Sequence, residues 1–146
     1  MAMSLKFKQL GLIGCGNIGA IVADRAKGLK MRVAAYDPYL SPERATDLGV
    51  EKVELDELFA RADFISLHTP LTNETRDLVG EPELDILKPG VRLVNCARGG
   101  IYNEAALAKG LQSGRIAGVA LDVYAEEPCK TSPLFGMSGV VCTPHL

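Results

Sequence analysis

Three side chains that together could oxidise an alcohol lie just past the ends of three short apolar runs. Arg98 sits in Asn95-Cys96-Ala97-Arg98-Gly99-Gly100, after Val91–Asn95. Glu127 sits in Asp122-Val123-Tyr124-Ala125-Glu126-Glu127-Pro128, after Ile116–Leu121. His145 sits in Thr143-Pro144-His145, after Val140–Cys142. An arginine can clamp a carboxylate with two parallel hydrogen bonds. A histidine can take a hydroxyl proton while hydride passes to a nicotinamide. A carboxylate beside that histidine orients the ring and favours its charged form. Each residue alone has an ordinary explanation: a solvated loop arginine, a surface acid before a turn proline, one of two incidental histidines. Their joint occurrence at three neighbouring strand ends outweighs those explanations.

A second group of residues suits a dinucleotide. Gly14-Cys15-Gly16-Asn17-Ile18-Gly19 fits G-x-G-x-x-G between an apolar run and a helical pattern, the context in which the motif carries meaning. Gly14 permits a tight turn, Gly16 lets a pyrophosphate approach the backbone, and Gly19 lets the helix pack close to the strand. The helix start then offers free N–H groups to phosphate. The alternative is a tight strand-to-helix turn with no ligand. Asp37 argues against it. It ends the next apolar run, 18 residues after Gly19, near the spacing of about 20 expected for a ribose-binding acid. The other use for Asp37 is as a solvated turn residue before Pro38. No arginine follows it directly, since the chain continues Pro38-Tyr39-Leu40, and NAD is therefore favoured over NADP.

Positioning these groups requires alternating strands and helices. Strand patterns cover Leu10–Ile13, Arg32–Tyr36, Val50–Val53, Phe64–Leu67, Val91–Asn95, Ile116–Leu121 and Val140–Cys142. Helical patterns cover Ile18–Leu29, a stretch opened by Ser41-Pro42, Asp56–Ala62, a short piece at Pro82–Leu87, and Asn103–Ser113 between caps Asn103 and Gly114. Alternation of this kind predicts an α/β fold: a doubly wound, Rossmann-type parallel sheet of about seven strands, covered on both faces, in a single domain. That domain is expected over residues 9–146, with 1–8 as a leader.

Composition narrows the function further. Apolar residues make up 47% and charged residues 23% of the 146 residues, and the net charge is −2. Nothing there suggests nucleic acid or an anionic membrane as a partner, both of which call for a basic patch. No apolar run is long enough to span a bilayer, and the opening Met1-Ala2-Met3-Ser4-Leu5-Lys6 lacks the apolar middle of a secretion signal. The four cysteines, Cys15, Cys96, Cys129 and Cys142, form no C-x-x-C pair, so no metal site is expected, and reduced thiols in the cytoplasm are.

The motifs Gly11-Leu12-Ile13-Gly14-Cys15-Gly16-Asn17-Ile18-Gly19, Tyr36-Asp37-Pro38, His68-Thr69-Pro70, Val94-Asn95-Cys96-Ala97-Arg98-Gly99-Gly100, Leu121-Asp122-Val123 with Glu127-Pro128, and Thr143-Pro144-His145-Leu146 resemble those of the D-2-hydroxyacid dehydrogenases. Within that family the likeness points to the branch acting on 3-phosphoglycerate. The resemblance implies that Asn17 and Ile18 lie at the pyrophosphate of NAD, within the cofactor-binding loop of Gly14, Gly16 and Gly19, and Asp37 at the adenosine ribose. It implies Thr69 and Pro70 on the adenine side, Cys96 near the nicotinamide ribose, and Asp122 on the carboxamide. Arg98, Glu127 and His145 match the catalytic trio, and His68 is a motif residue without a catalytic role. Two departures stand out: Asn17 where the family usually has Arg, and Tyr102-Asn103 in place of Val-Asp. The resemblance also implies a substrate domain built from both ends of the chain, which this sequence is expected to lack. The chain is thus expected to bind NAD with little or no turnover and to be monomeric. A small 2-hydroxy acid would bind only with the other domain, in a homo-oligomeric parent. The competing expectations are a stand-alone NAD-binding module and an NAD-sensing, corepressor-like protein.

Overall fold

The computed structural model describes residues 3–146; Met1 and Ala2, the first residues of the expected leader, lie outside the described residues. Seven strands run as β1 (Gln9–Ile13), β2 (Arg32–Tyr36), β3 (Glu51–Lys52), β4 (Phe64–Leu67), β5 (Val91–Asn95), β6 (Ile116–Leu121) and β7 (Val140–Cys142). They form one sheet in the order β3-β2-β1-β4-β5-β6-β7, and every pairing is parallel. Four α-helices connect them: α1 (Asn17–Gly28), α2 (Pro42–Leu48), α3 (Leu55–Arg61) and α4 (Glu104–Ser113). Strand order reverses between β1 and β4, and ligands of open α/β sheets bind beyond the carboxyl ends of the strands at such a point.

The local signals act as the sequence suggests. The Ser41 side chain accepts a hydrogen bond from the Arg44 N–H, Pro42 follows at the first helical position, and Gly49 closes α2 at φ 69°. Asn103 accepts from the Ala106 N–H and Gly114 ends α4 at φ 79°. Helix α1 turns Gly19, Ala23 and Ala26 inward, small residues that bring its backbone close to the sheet. Tyr102 is buried, and its hydroxyl donates to the Ile65 carbonyl at 3.2 Å.

Two elements differ from expectation. The run Val50–Val53 yields a ladder of only Glu51–Lys52: it lies at the sheet edge, and its valines are buried by side-chain packing rather than by pairing on both sides. The piece at Pro82–Leu87 is a 3₁₀ helix, Glu81–Asp85. Pro82 lacks an N–H, and Lys88-Pro89-Gly90 turns the chain before a second α-turn can form.

The core divides into two layers. On one face Leu10, Leu12, Val33 and Ala35 pack with Ala23 and Ala26 of α1 and Ala45 of α2. On the other face Leu58, Phe59 and Leu107 join Ile65, Leu93 and Val119. Burying such an aliphatic side chain stabilises the fold by about 1.5–3 kcal/mol. Cover is incomplete on the α1 face beyond β1. Phe64, Arg92, Val94 and Ala120 there are half-buried and Val141 is exposed, because α1 and α2 reach only β1, β2 and β3.

Candidate functional site

Strand β1 ends at Ile13 and the chain turns at once into α1. Gly14 makes that turn at φ 91°, and a Cβ there would stand 2.3 Å from the His68 carbonyl oxygen. No other residue lets the ends of β1 and β4 close up at the switch point. Gly16, by contrast, has open space where a Cβ would be. Helix α1 begins with no side-chain cap and no acid in its first turn, so its first N–H groups and the positive end of its dipole face that opening. Asp37 lies just past β2. Its Oδ2 accepts from the Cys15 N–H at 2.9 Å and its Oδ1 from the Tyr39 N–H at 2.9 Å. Each oxygen keeps a lone pair for a hydroxyl. An open cradle of N–H groups beside an oriented carboxylate suits a dinucleotide's pyrophosphate and ribose.

Ile18, Thr69, Pro70, Cys96 and Arg98 line one cavity of about 320 Å³, together with His68. Burial pushes the His68 imidazole pKa down, which keeps it neutral, and its Nε2 lies 2.9 Å from Ser66 Oγ. The turn carrying Arg98 is built by Asn95, whose side chain is buried. Asn95 Nδ2 donates to the Arg98 carbonyl at 2.9 Å, and its Oδ1 accepts from the Ala97 N–H at 3.0 Å. The Arg98 guanidinium itself is exposed and donates to the Ala97 carbonyl at 2.6 Å. Burial first, and the Asp122 charge second, push the Cys96 thiol pKa up, so it acts as a small neutral wall.

A second cavity, of about 500 Å³, is lined by Tyr124, Glu127, Cys142, Thr143 and His145 among others. Here His145 Nδ1 lies 2.7 Å from Glu127 Oε1. With Nδ1 committed to the carboxylate, Nε2 is the nitrogen left for a substrate proton. His145 adopts φ 61°, a left-handed conformation that its surroundings must hold. The hold comes from Asp122, whose Oδ1 accepts from Thr143 Oγ at 2.5 Å and from the Leu146 N–H at 3.0 Å. The Thr143 hydrogen bond leads in keeping the Asp122 carboxyl below its ordinary range. Tyr124 adds a hydroxyl bond to the Thr143 carbonyl at 2.6 Å.

Glu127 and His145 are therefore in contact, while Arg98 lines the other cavity and makes no hydrogen bond to either. Thr69 and Pro70, assigned to the adenine side, share that cavity with Cys96 and Arg98. Asn17 lines a third cavity with Asp24, Arg25 and Arg44, in which the Arg25 guanidinium is paired with Asp24 at 2.7 Å. Sequence reasoning did not single out Asn95, Thr143 or Glu104, whose carboxylate accepts from the Ala125 N–H and from Ser132 Oγ. Asn95 had a local signal, an Asn two residues before the N–H it caps; the other two act across more than 20 residues and had none. Among the described residues no cluster of His, Cys, Asp or Glu could hold a metal ion.

The model of the D-isomer specific 2-hydroxyacid dehydrogenase NAD-binding domain matches residues 1–146. The chain belongs to that family. The chain is 52% identical over 139 residues to D-3-phosphoglycerate dehydrogenase of Mycobacterium tuberculosis, covering 95% of this chain and 26% of the relative. To the enzyme of the same name from Bacillus subtilis it is 46% identical, again over 95% of this chain and 26% of the relative. Among solved structures, the NAD-complexed D-isomer specific 2-hydroxyacid dehydrogenase of Lactobacillus delbrueckii ssp. bulgaricus superposes with TM-score 0.89 at 34% identity, over 99% of this chain and 48% of that one. A glyoxylate reductase from Paecilomyes thermophila gives TM-score 0.91 at 38% identity, over 99% of this chain and 44% of that one. The domain thus spans about a quarter of the length of these curated relatives. No helix among the described residues is long and apolar enough to cross a membrane.

Proposed function

We propose that this domain supplies the NAD site and the proton-transfer pair of a D-3-phosphoglycerate dehydrogenase, which oxidises the 2-hydroxyl of 3-phosphoglycerate to a ketone. The observation that carries the reading is the 2.7 Å contact of His145 Nδ1 with Glu127 Oε1, at the sheet edge that also bears the glycine loop and Asp37. Gly16, Asn17, Ile18 and Gly19 offer the pyrophosphate the backbone N–H groups at the start of α1, and Gly14 makes the turn that places them, its own N–H being donated to the Tyr36 carbonyl at 2.9 Å. Asp37 accepts the adenosine ribose hydroxyls. Thr69, Pro70 and Cys96 wall the cleft, and Asp122 uses its second oxygen on the carboxamide. Bound NAD supplies the hydride acceptor. His145 takes the hydroxyl proton at Nε2, Glu127 holds the ring through Nδ1 and stabilises the imidazolium, and Arg98 swings off its own backbone to clamp the substrate carboxylate.

The choice of 3-phosphoglycerate rests on the curated relatives at 46% to 52% identity. The same reading makes the substrate a small 2-hydroxy acid and the compartment the cytoplasm, in keeping with four free cysteines. Nucleic acid and membrane have no part in it. Two measurements test it: titration of the domain with NAD, and NAD reduction by a full-length protein carrying it, offered 3-phosphoglycerate and other D-2-hydroxy acids. Absence of NAD binding, or preference for a different hydroxy acid, would overturn the cofactor or the substrate assignment respectively.

A further inference from the structure

Glu104 opens α4, directly after the cap residue Asn103. An acid at that position ordinarily complements the helix dipole from solvent. Here both carboxylate oxygens are given to another part of the chain. Oε2 accepts from the Ala125 N–H at 2.8 Å, and Oε1 accepts from Ser132 Oγ at 2.6 Å. These two points bracket the segment 126–131, which carries Glu127. That segment belongs to no helix or strand, and Glu127, two residues beyond Ala125, is exposed. Its far end is closed by the fully buried Leu134, whose N–H donates to Ser132 Oγ at 3.3 Å. Glu104 thus ties down both ends of the segment that carries Glu127.

We propose that Glu104 is a positioning residue: by tying Ala125 and Ser132 to the start of α4, it sets where Glu127 meets His145. The role rests on the assignment of Glu127 and His145 as the proton-transfer pair. It divides the labour at this edge of the sheet. Asp122 holds the histidine's segment through Thr143 and Leu146, and Glu104 holds the carboxylate's segment from the opposite side.

The test reads the His145 ring by its ¹⁵N chemical shifts, in the intact chain at a pH of about 9, well above the ordinary imidazole range. The chain has two histidines, and His145 is assigned by the signal lost in His145→Gln. In the wild type the Nδ1–H tautomer dominates, held by Glu127. Glu127→Ala lowers the Nδ1–H to Nε2–H ratio about tenfold, the worth of one hydrogen bond to a charged group. Glu104→Ala moves the ratio in the same direction, by about threefold or more. Glu104→Gln, which keeps an acceptor for the Ala125 N–H and a polar partner for Ser132, restores it. A merely structural role would lower the melting temperature and leave the ratio alone. Should Glu104→Ala fail to fold, Ser132→Ala removes one anchor and leaves the helix start intact, and it carries the same expectation. A wild-type ratio in the folded Glu104→Ala or Ser132→Ala protein, with Glu127→Ala shifted, overturns the proposal and leaves the acid–base pair standing. An unshifted Glu127→Ala overturns the pair, and this proposal with it.

Discussion

Asp37 Oδ2 accepts the Cys15 N–H at 2.9 Å, which ties the carboxylate at the end of β2 to the middle of the glycine turn that opens α1. The acid proposed to bind ribose and the loop proposed to bind pyrophosphate are thus one rigid unit. Fixing both in advance lowers the ordering cost that binding would otherwise carry. Its second oxygen, on the Tyr39 N–H, completes an Asx turn that fixes the carboxylate plane.

Asp37→Ala removes a charged acceptor of the ribose hydroxyls and loosens the Cys15 turn. NAD affinity should fall about 10- to 100-fold, following the 1.5–3 kcal/mol typical of a hydrogen bond to a charged group. NADP should lose less, because repulsion of its 2′-phosphate goes too. Calorimetry with both cofactors on one preparation measures the two changes. An unchanged ratio of affinities would contradict the role.

In a full-length protein carrying this domain, His145→Ala should lower kcat by about 10²–10⁴-fold, the usual worth of positioned acid–base help. Arg98→Lys should act mainly on KM, since an ammonium cannot reproduce a two-pronged clamp. Steady-state kinetics with 3-phosphoglycerate separate the two effects. Near-normal turnover in His145→Ala would move the proton-transfer role elsewhere.

Asp63 sets an acid limit on stability. Burial alone would raise its carboxyl pKa, yet the Gln9 N–H and the Lys88 ammonium, each at 2.8 Å, outweigh burial and hold it below the ordinary value. A carboxylate depressed in the fold contributes stability that is fully present above its unfolded pKa, near 3.8, and is lost as pH falls through the folded value. Urea melts between neutral pH and about pH 3 should therefore show a steeper acid loss in wild type than in Asp63→Asn. Parallel curves would mean that the β1–β4 junction draws nothing from this charge.

Gly99→Ala should destabilise the domain by about 1–3 kcal/mol, the usual range for overpacking. A Cβ there would fall 1.7 Å from the Tyr124 carbonyl oxygen, and that neighbour is backbone, which cannot step aside cheaply. Chemical denaturation at an unchanged m-value reads the loss. A wild-type midpoint would show that the Arg98 turn and the β6 loop are free to separate.

Much of this architecture is legible in the chain because its signals are local. Gly14 through Gly19 sit between a strand run and a helix pattern, Asp37 ends the next run, and Ser41, Asn103 and Gly114 punctuate helices within four residues of the groups they cap. What sequence could not supply is pairing at a distance. Glu104 reads as a helix-opening acid until α4 is seen against Ser132, and Thr143 reads as a strand-end residue until Asp122 reaches it. Arg98, His145 and Glu127 are each recognisable by type and place, but only the folded chain puts the latter two in one cavity and Arg98 in another. The two-residue β3 was obscured because burial of Val50 and Val53 comes from side-chain packing, which apolar periodicity cannot tell from strand pairing.

The side chains of Glu127 and His145 remain 35% and 48% exposed, and the cavities beside them open outward rather than closing within the sheet. On the proposed assignment, the groups that move a proton and hold the hydride-accepting cofactor are carried here, while the walls that choose among hydroxy acids need not be. Such a partition lets evolution exchange the selective wall without disturbing the reacting geometry. Descendants of one ancestral half can then acquire new substrates by altering what faces them, which fits a single fold recurring under names as different as phosphoglycerate dehydrogenase and glyoxylate reductase.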